Sequence, residues 1–396
     1  MKKELSATVR VAKSSGRKLR LALLILLLIG LAGCYYWFRT QRPQQLIEQA
    51  SQLAASDPEQ AEQLLAQAIQ LSGNSHSDAQ LFRIALLIRL GNADEALGQL
   101  TMIKQPESLP QESILQLVQA ANQRDMFYLS ENLLLAALSQ EPERLRVLRS
   151  LLEVQLIQGK AESALQTSQQ ILEVDPEDAN AWRIIGTYYL PQKKHVEAEQ
   201  AFRNALKYSQ IPGQRQSIFK QLIAVLIDQG LAGQARTELE RYREQFPLAN
   251  DVTLQEASIY RLEGQAAQGL ELMNDYIARM ESAEIAAHQV RGLLLIDLNQ
   301  NERAAQDLER VVNAQPWNYE AHYKLALAYR RLDQEEKSNH HQQLADKYRL
   351  LRIELLEKTN KLREQPDDIS LRNRVAELFE TFGNAEQAQE LRKKPE

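Results

Sequence analysis

The side chains that most often carry catalysis or metal binding are few in this chain and poorly spaced for either task. There are six histidines and a single cysteine, Cys34. His340 and His341 are adjacent, so on a helix their side chains point about 100° apart and do not chelate one ion together. One cysteine excludes an internal disulfide framework and a multi-cysteine zinc site. We therefore expect no metal and no cofactor.

Motifs for phosphate binding and for nucleophilic catalysis are also missing from the sequence. Gly159-Lys160 has no upstream glycine and no following Ser or Thr, so it is not a phosphate-binding loop. Asp and Glu recur four residues from Arg or Lys, which is typical of ion pairs on helix surfaces. The remaining histidines are isolated and are expected at turns or on helix faces: His76, His195, His288 and His322. The chain is therefore predicted not to be an enzyme and to have no small-molecule substrate.

The first 38 residues differ from the rest of the chain in charge and hydropathy. Residues 1–20 hold seven basic side chains against Glu4 alone, and residues 21–38 hold no charge. Eighteen helical residues rise about 27 Å, close to the thickness of a bilayer core. The aromatic run Tyr35 to Phe38 suits a membrane interface, and the basic tail predicts a cytoplasmic N-terminus. The sequence predicts a single-pass helix in the inner membrane, with the later residues in the periplasm or exterior.

A second interpretation of this segment stays open. Leu31-Ala32-Gly33-Cys34 resembles the lipobox of bacterial lipoproteins, which implies cleavage before Cys34 and attachment of lipid to it. The long basic region and the four aromatic residues after the cysteine argue against processing. Both interpretations place the chain after residue 40 on the far side of the membrane, and an intact Met1 in the mass spectrum of the purified protein would exclude cleavage.

Overall composition is that of a folded and slightly acidic protein. The 396 residues are 44% hydrophobic and 25% charged, with a net charge of −5. These values exclude wholesale disorder. The isoelectric point of about 5.9 excludes a broadly basic, nucleic-acid-coating body, so no nucleic-acid partner is expected.

From about residue 43 onward the chain shows a helical repeat. Apolar residues fall at i, i+3, i+4 and i+7, the pattern of amphipathic helices, and no stretch has the alternation of a strand. Gly230 and Gly264 are 34 residues apart, as are Pro142 and Pro176. A glycine recurring between two short helices supplies the left-handed turn that a side chain resists.

This pattern resembles the tetratricopeptide repeat family. Residues 179–212 carry the signature residues at positions 4, 7, 8, 11, 20, 24 and 27 of the repeat: Trp182, Ile185, Gly186, Tyr189, Ala198, Phe202 and Ala205. Units anchored on their own glycines or prolines begin near 111, 145, 216, 250, 285 and 319. Position 20 is small in all seven units: Ser130, Ala164, Ala198, Ala235, Gly269, Ala304 and Ser338. Weaker units cover 42–76 and 77–110, and a last one begins near 369.

The resemblance implies an all-α fold, a right-handed superhelical solenoid of stacked antiparallel helix pairs that follows one N-terminal transmembrane helix. Residues 43–365 would form the repeats and end in one long helix, because the apolar pattern continues from Ser338 to Pro366. Residues 366–394 would form a C-terminal helix pair capped by Asp368. Aromatic residues at repeat positions are predicted to pack in the core: Trp182, Tyr188, Tyr189, Trp317, Tyr319, Tyr323 and Tyr329.

In this family the first helices of the pairs line a concave groove that binds peptides or partner helices. The corresponding candidate residues here are Arg146, Arg149, Asn180, Arg183, Thr187 and Lys220. Four of them are basic: Arg146, Arg149, Arg183 and Lys220. They are interpreted either as a basic strip that binds an acidic segment of a partner or as solvated charges on helix faces. The family's carboxylate clamp is not carried over, because Glu153 and Thr187 occupy its slots. If the strip binds the partner, charge reversal at Arg149 and Arg183 weakens partner capture.

The sequence thus predicts a membrane-anchored repeat scaffold or adaptor that binds a partner protein or peptide in its groove. The alternative is a chaperone-like accessory factor for secretion or envelope assembly, which would hold unfolded clients and for which a lipoprotein anchor is one option. A scaffold would capture one defined complex, whereas a chaperone would suppress the aggregation of unrelated proteins.

Overall fold

The computed structural model describes residues 27–33, 35–73, 76–103, 109–138, 144–249, 251–280, 284–365 and 368–392. All secondary structure in these ranges is helical, so the predicted all-α class is confirmed for the described part of the chain. Contacts divide the chain into two units, one up to Asp175 and one from Pro176. The repeat pattern runs across this boundary without a break, so the sequence did not predict the division.

The first unit is a series of antiparallel helix pairs. Its helices are α1 Arg42–Leu53, α2 Pro58–Leu71, α3 Ser77–Leu90, α4 Ala93–Thr101, α5 Gln111–Asn122, α6 Phe127–Ala137, α7 Arg144–Ile157 and α8 Ala161–Val174. Consecutive helices from α1 to α4 and from α5 to α8 pack against each other. In addition, α3 packs against α5 and α4 against α6, as in stacked repeats.

The second unit repeats the same arrangement over more pairs. The first helices of consecutive pairs again contact each other, α11 with α13, α13 with α15 and α15 with α17. The helices are α9 Ala179–Tyr189, α10 His195–Tyr208, α11 Pro212–Asp228, α12 Ala232–Gln245, α13 Thr253–Leu262, α14 Ala266–Ala278, α15 Ile285–Asp297, α16 Asn301–Ala314, α17 Tyr319–Arg331, α18 Glu335–Glu364, α19 Ile369–Thr381 and α20 Ala385–Arg392.

Small residues at position 20 let the helices of a pair approach closely. All seven predicted positions are buried. At Gly269 a Cβ atom would lie 3.0 Å from the carbonyl oxygen of Ala257 and 2.8 Å from the Leu294 side chain. Gly186, at position 8, has the Phe202 ring in the space that a Cβ would fill. The packing role predicted for these positions is therefore confirmed.

The turns within pairs use a left-handed residue as predicted. Gly91, Gly159, Gly230 and Gly264 have φ values between 68° and 88°. Where the repeat has no glycine, other residues adopt the same conformation: Asp125, Lys193, Asn299 and Asp333. These residues pay a small steric cost that glycine avoids.

The long helix predicted beyond Ser338 is present as α18, which runs for 30 residues. The Asp368 side chain accepts a hydrogen bond from the backbone N–H of Leu371 at 2.9 Å and so caps α19, as expected. Between Tyr208 and Gln216 the chain has three residues more than the 34-residue repeat needs, and α11 begins within this segment at Pro212 and runs for 17 residues.

At the N-terminus the described residues are helical and carry exposed apolar side chains. Residues 27–33 and 35–36 are helical, and Trp37–Gln41 forms a π-helical turn that leads into α1. Among the described residues, no helix has the length and apolar character needed to cross a membrane. The predicted basic tail 1–20, residues 21–26 of the predicted span and Cys34 lie outside the described residues.

Candidate functional site

The basic candidate residues of the first unit each bind a carboxylate of their own chain. Arg146 Nη1 lies 3.2 Å from Glu112 Oε2, which is one repeat earlier. Arg149 Nη2 lies 3.0 Å from Asp175 Oδ2. Both arginines are about half exposed, so these pairs are weak and open to competition.

The candidates of the second unit also have partners within the chain. Lys220 Nζ contacts Asp251 Oδ2 at 2.8 Å. Arg183 donates two hydrogen bonds to Asn180 Oδ1, at 2.8 and 3.2 Å, and burial lowers the pKa of its guanidinium. Thr187 Oγ1 donates to the Arg183 carbonyl oxygen at 2.9 Å. The basic strip stays a prediction, because its members lie on helix faces as expected but already have intrachain partners.

A pocket of about 410 Å³ opens on the second unit beside the last repeats. Its walls come from α13 and from the four helices α15 to α18. Tyr323 is 53% exposed, so the prediction that it packs in the core is wrong. The pocket, called the groove pocket below, is lined chiefly by Arg261, Gln289, Leu293, Tyr319, Glu320, Tyr323, Lys324, Gln342, Asp346 and Arg349.

The groove pocket combines aromatic, amide and cationic groups. Arg261 pairs with Asp297 at 3.3 Å and Arg349 with Asp346 at 3.4 Å. Lys324 makes no ion pair with another described residue, and its ammonium lies 5.8 Å from the centre of the Tyr323 ring. A lysine beside an exposed tyrosine ring can receive a carboxylate and an apolar side chain of the same ligand.

One end of the groove pocket is fixed by a contact between residues far apart in the chain. Lys193, in the turn before α10, donates to the Tyr319 hydroxyl at 3.2 Å across 126 residues. Tyr319 in turn donates to Glu320 Oε1 at 2.9 Å. The hydrogen bond to Tyr319 raises the pKa of Lys193. These contacts hold the ring of Tyr319 at the pocket wall.

Sequence reasoning missed these residues although the repeat register contained them. The candidate groove residues predicted in the earlier units stand at positions 2, 5 and 9 of the repeat, and position 12 lies on the same face of the first helix. In the units that begin at 250, 285 and 319, the same positions give Arg261, Gln289, Leu293, Glu320 and Tyr323, and all five line the groove pocket.

Two histidines predicted at turns or helix faces are instead buried. His288 Nδ1 lies 2.9 Å from Asp307 Oδ1, and Arg291 binds the same carboxylate through two nitrogens, at 2.6 and 2.7 Å. His322 is 3% exposed. Both histidines stand at position 4 of their units, the position of Trp182 in the best repeat, so the register was the signal for their burial.

His322 and His341 form a stacked pair between α17 and α18. Their Nδ1 atoms are 3.0 Å apart, and the rings are stacked at 26°. His322 Nε2 donates to the carbonyl oxygen of Pro316 at 3.0 Å, so the Nδ1 of His322 accepts the proton of His341. Tyr329 stacks on His341 and Tyr348 on His322. Among the described residues, no group of three metal-ligating side chains could hold a metal ion.

Comparison with protein families places repeats along both units. The tetratricopeptide repeat model matches residues 51–105 and 158–214. The model of the bacterial transcriptional activator domain matches residues 257–364. A comparison with curated proteins finds no match. The chain therefore contains tetratricopeptide-type repeats, and together with the helix pairs they support a repeat scaffold.

Several solved structures of helical-repeat proteins are similar to this chain at low identity. A tetratricopeptide repeat protein from Parabacteroides merdae is 16% identical over 73% of this chain and 99% of that one, with a TM-score of 0.39. PilF of Pseudomonas aeruginosa is 19% identical over 57% and 97%, with a TM-score of 0.41. Human IFIT1 with m7Gppp-AAAA is 15% identical over 80% and 88%, with a TM-score of 0.42. At these TM-scores none of the three informs the function of this chain.

Proposed function

We propose that this protein is a scaffold or adaptor that holds a partner protein by an extended peptide segment bound in the groove pocket. The observation that carries the proposal is the pocket itself, where the exposed Tyr323 and the half-buried Lys324 stand together. A segment with an acidic residue next to an apolar one matches these two groups. Gln289 and Gln342 offer amide groups to the backbone of such a segment.

The scaffold is proposed to act at a membrane, on its non-cytoplasmic side. The support is the uncharged stretch 21–38 behind seven basic residues, together with the exposed side chains of Leu27, Leu28, Ile29 and Leu31. Anchoring would raise the effective concentration of the groove pocket near a membrane complex. Lipid attachment at Cys34 is the alternative form of the same anchor.

Photo-crosslinking in intact cells tests the capture of a partner. A crosslinking amino acid replaces Tyr323 in the groove pocket, and the control carries it at Leu248, which is 94% exposed and outside the pocket. We expect one defined protein to be captured at position 323 and absent from position 248. Many unrelated proteins at both positions would instead favour the chaperone-like function. No capture at 323 above the control would contradict the proposal.

A further inference from the structure

The second half of α18 carries an apolar face that no described residue covers. Leu350, Ile353 and Leu356 are 60%, 46% and 48% exposed. Leu351 and Leu355 are half-buried and lie on roughly the opposite side of the helix, because two residues correspond to about 200° of rotation. The helix therefore has a packed apolar side and, facing away from it, an unpacked one.

The packed side of this part of α18 lies against α19. The two helices are in contact, and Arg374 Nε on α19 lies 2.8 Å from Glu354 Oε1 on α18. The neighbouring α19 therefore does not cover the face of Ile353. Three large apolar side chains at this spacing on one exposed face are typical of a helix that packs against another helix.

The side chains on this face are ordered symmetrically about Ile353. Three residues to either side are Leu350 and Leu356, and four residues to either side are Arg349 and Glu357. An apolar residue thus corresponds to an apolar residue, and a basic residue to an acidic one. A helix with this order is complementary to an antiparallel copy of itself.

We propose that a second copy of this chain docks on this face, with the two α18 helices antiparallel and crossing at Ile353 on a two-fold axis. A two-fold axis places each residue opposite the one equally far on the other side of Ile353. Leu350 then packs on Leu356 of the partner subunit, and Arg349 pairs with Glu357 of the partner subunit. Each contact occurs twice in the dimer.

The charges on this face favour an antiparallel pair of α18 helices over a parallel pair. In a parallel arrangement Arg349 would meet a second arginine, and like charges at a contact are unfavourable. Glu357 makes no ion pair with another described residue. Arg349 and Asp346 also line the groove pocket, but their pair is more than half exposed, so the Arg349 guanidinium is open to a second carboxylate. A contact one helix wide is small compared with the about 800 Å² per partner of stable interfaces, so the dimer forms reversibly.

Cysteine crosslinking of the full chain in detergent tests the geometry. Ile353→Cys should give a disulfide-linked dimer by itself. Leu350→Cys and Leu356→Cys should each remain monomeric but crosslink when mixed, because each residue lies about 9 Å along the axis from its own copy. Native Cys34 can itself form disulfide-linked dimers, and this background is measured on the protein without an added cysteine. Lys347→Cys, which is exposed and lies about 120° around α18 from Ile353, is the matched control and should stay at that background.

Charge exchange tests the same dimer without a crosslink. Glu357→Arg and Arg349→Glu should each lower the association constant by about tenfold, and the double variant should restore it to within about threefold. The measurement is light scattering of the full chain over a concentration series, with circular dichroism to confirm unchanged helix content. A chain that is monomeric up to about 100 µM, a dimer insensitive to both reversals, or self-crosslinking at Leu350→Cys would overturn the proposal.

Discussion

At the scale of single residues, the least expected feature is the pairing of His322 with His341. Neither the residue types nor their 19-residue separation predicted a contact, because the contact depends on the axial register in which α18 packs against α17. The register of the repeat, however, placed His322 at the buried position 4. Burial lowers the pKa of His341 to about 4, helped by the nearby His322 and His340, and burial lowers the pKa of His322 as well.

These lowered pKa values predict that acid destabilises the second unit. Unfolded histidine has a pKa of about 6.5. Between pH 6.5 and about 4, the unfolded chain therefore binds protons that the folded pair excludes, and the free energy of unfolding falls as the pH decreases through this window. Other charged groups near the pair are Glu309, which accepts from the Tyr329 hydroxyl, and Lys337, whose ammonium lies 4.8 Å from the Tyr329 ring.

Replacing His341 by phenylalanine should keep the ring stack and remove one titrating partner. The free energy of unfolding decreases between pH 7.5 and 5.0, and we expect this decrease to be about 1 kcal/mol smaller for His341→Phe than for the parent. This value is already lowered to allow for the partial solvent exposure of the pair. Denaturant titration at both pH values measures the difference. Asn339→Gln, an exposed and neutral substitution on α18, is the control and should leave the pH dependence unchanged. Equal pH dependence in the parent and His341→Phe would contradict this explanation.

Two helical glycines with opposite surroundings test the close packing at position 20. Gly269→Ala should destabilise the protein by about 1–3 kcal/mol, because its Cβ would meet the Ala257 carbonyl oxygen and the Leu294 side chain. Gly98→Ala in α4 has no atom within 4 Å of the new Cβ and should stabilise by about 0.5–1 kcal/mol. Thermal or denaturant unfolding measures both. If both substitutions stabilised the protein, Gly269 would not be a packing requirement.

At the scale of helices, the sequence predicted which segments are helical and where they turn, because periodicity and left-handed glycines are local signals. The cap at Asp368 and the length of α18 followed for the same reason. The ion-pair partners of charged side chains could not be predicted from the sequence, because these partners belong to a neighbouring helix or a neighbouring repeat. Asp307 is an example, because its carboxylate is buried between His288 and Arg291 on α15.

Removing the guanidinium beside Asp307 should be costly. Arg291→Met leaves the buried carboxylate with His288 alone, and we expect a loss of about 3 kcal/mol of unfolding free energy. Arg279→Met is the matched control, because the pair of Arg279 with Asp275 is exposed and should contribute under about 0.5 kcal/mol. Denaturant unfolding compares the two variants. A loss at Arg291 no larger than at Arg279 would show that Asp307 does not depend on this arginine.

At the scale of the whole molecule, the repeat count follows from the pairs in the two units. The described residues form four helix pairs up to Asp175 and six from Pro176, in line with the repeat units predicted from the sequence. The boundary between the units was not predictable from the sequence. Each helix pair packs only on its neighbours, and the repeat pattern does not show which neighbouring pairs have fewer contacts. Tyr323 was predicted in the core because it is aromatic, although it stands at position 5 of its unit, which is a groove position of the repeat.

The central claim is that the groove pocket binds a partner segment, and a binding measurement tests it most directly. The segment captured at position 323 is made as a peptide and titrated calorimetrically against the full chain and the Lys324→Glu variant, with Arg279→Glu as the control. We predict that Lys324→Glu weakens binding by at least about tenfold, because it reverses the charge that meets the peptide carboxylate, while the control binds as the parent does. Equal affinity of the parent and Lys324→Glu would contradict the account.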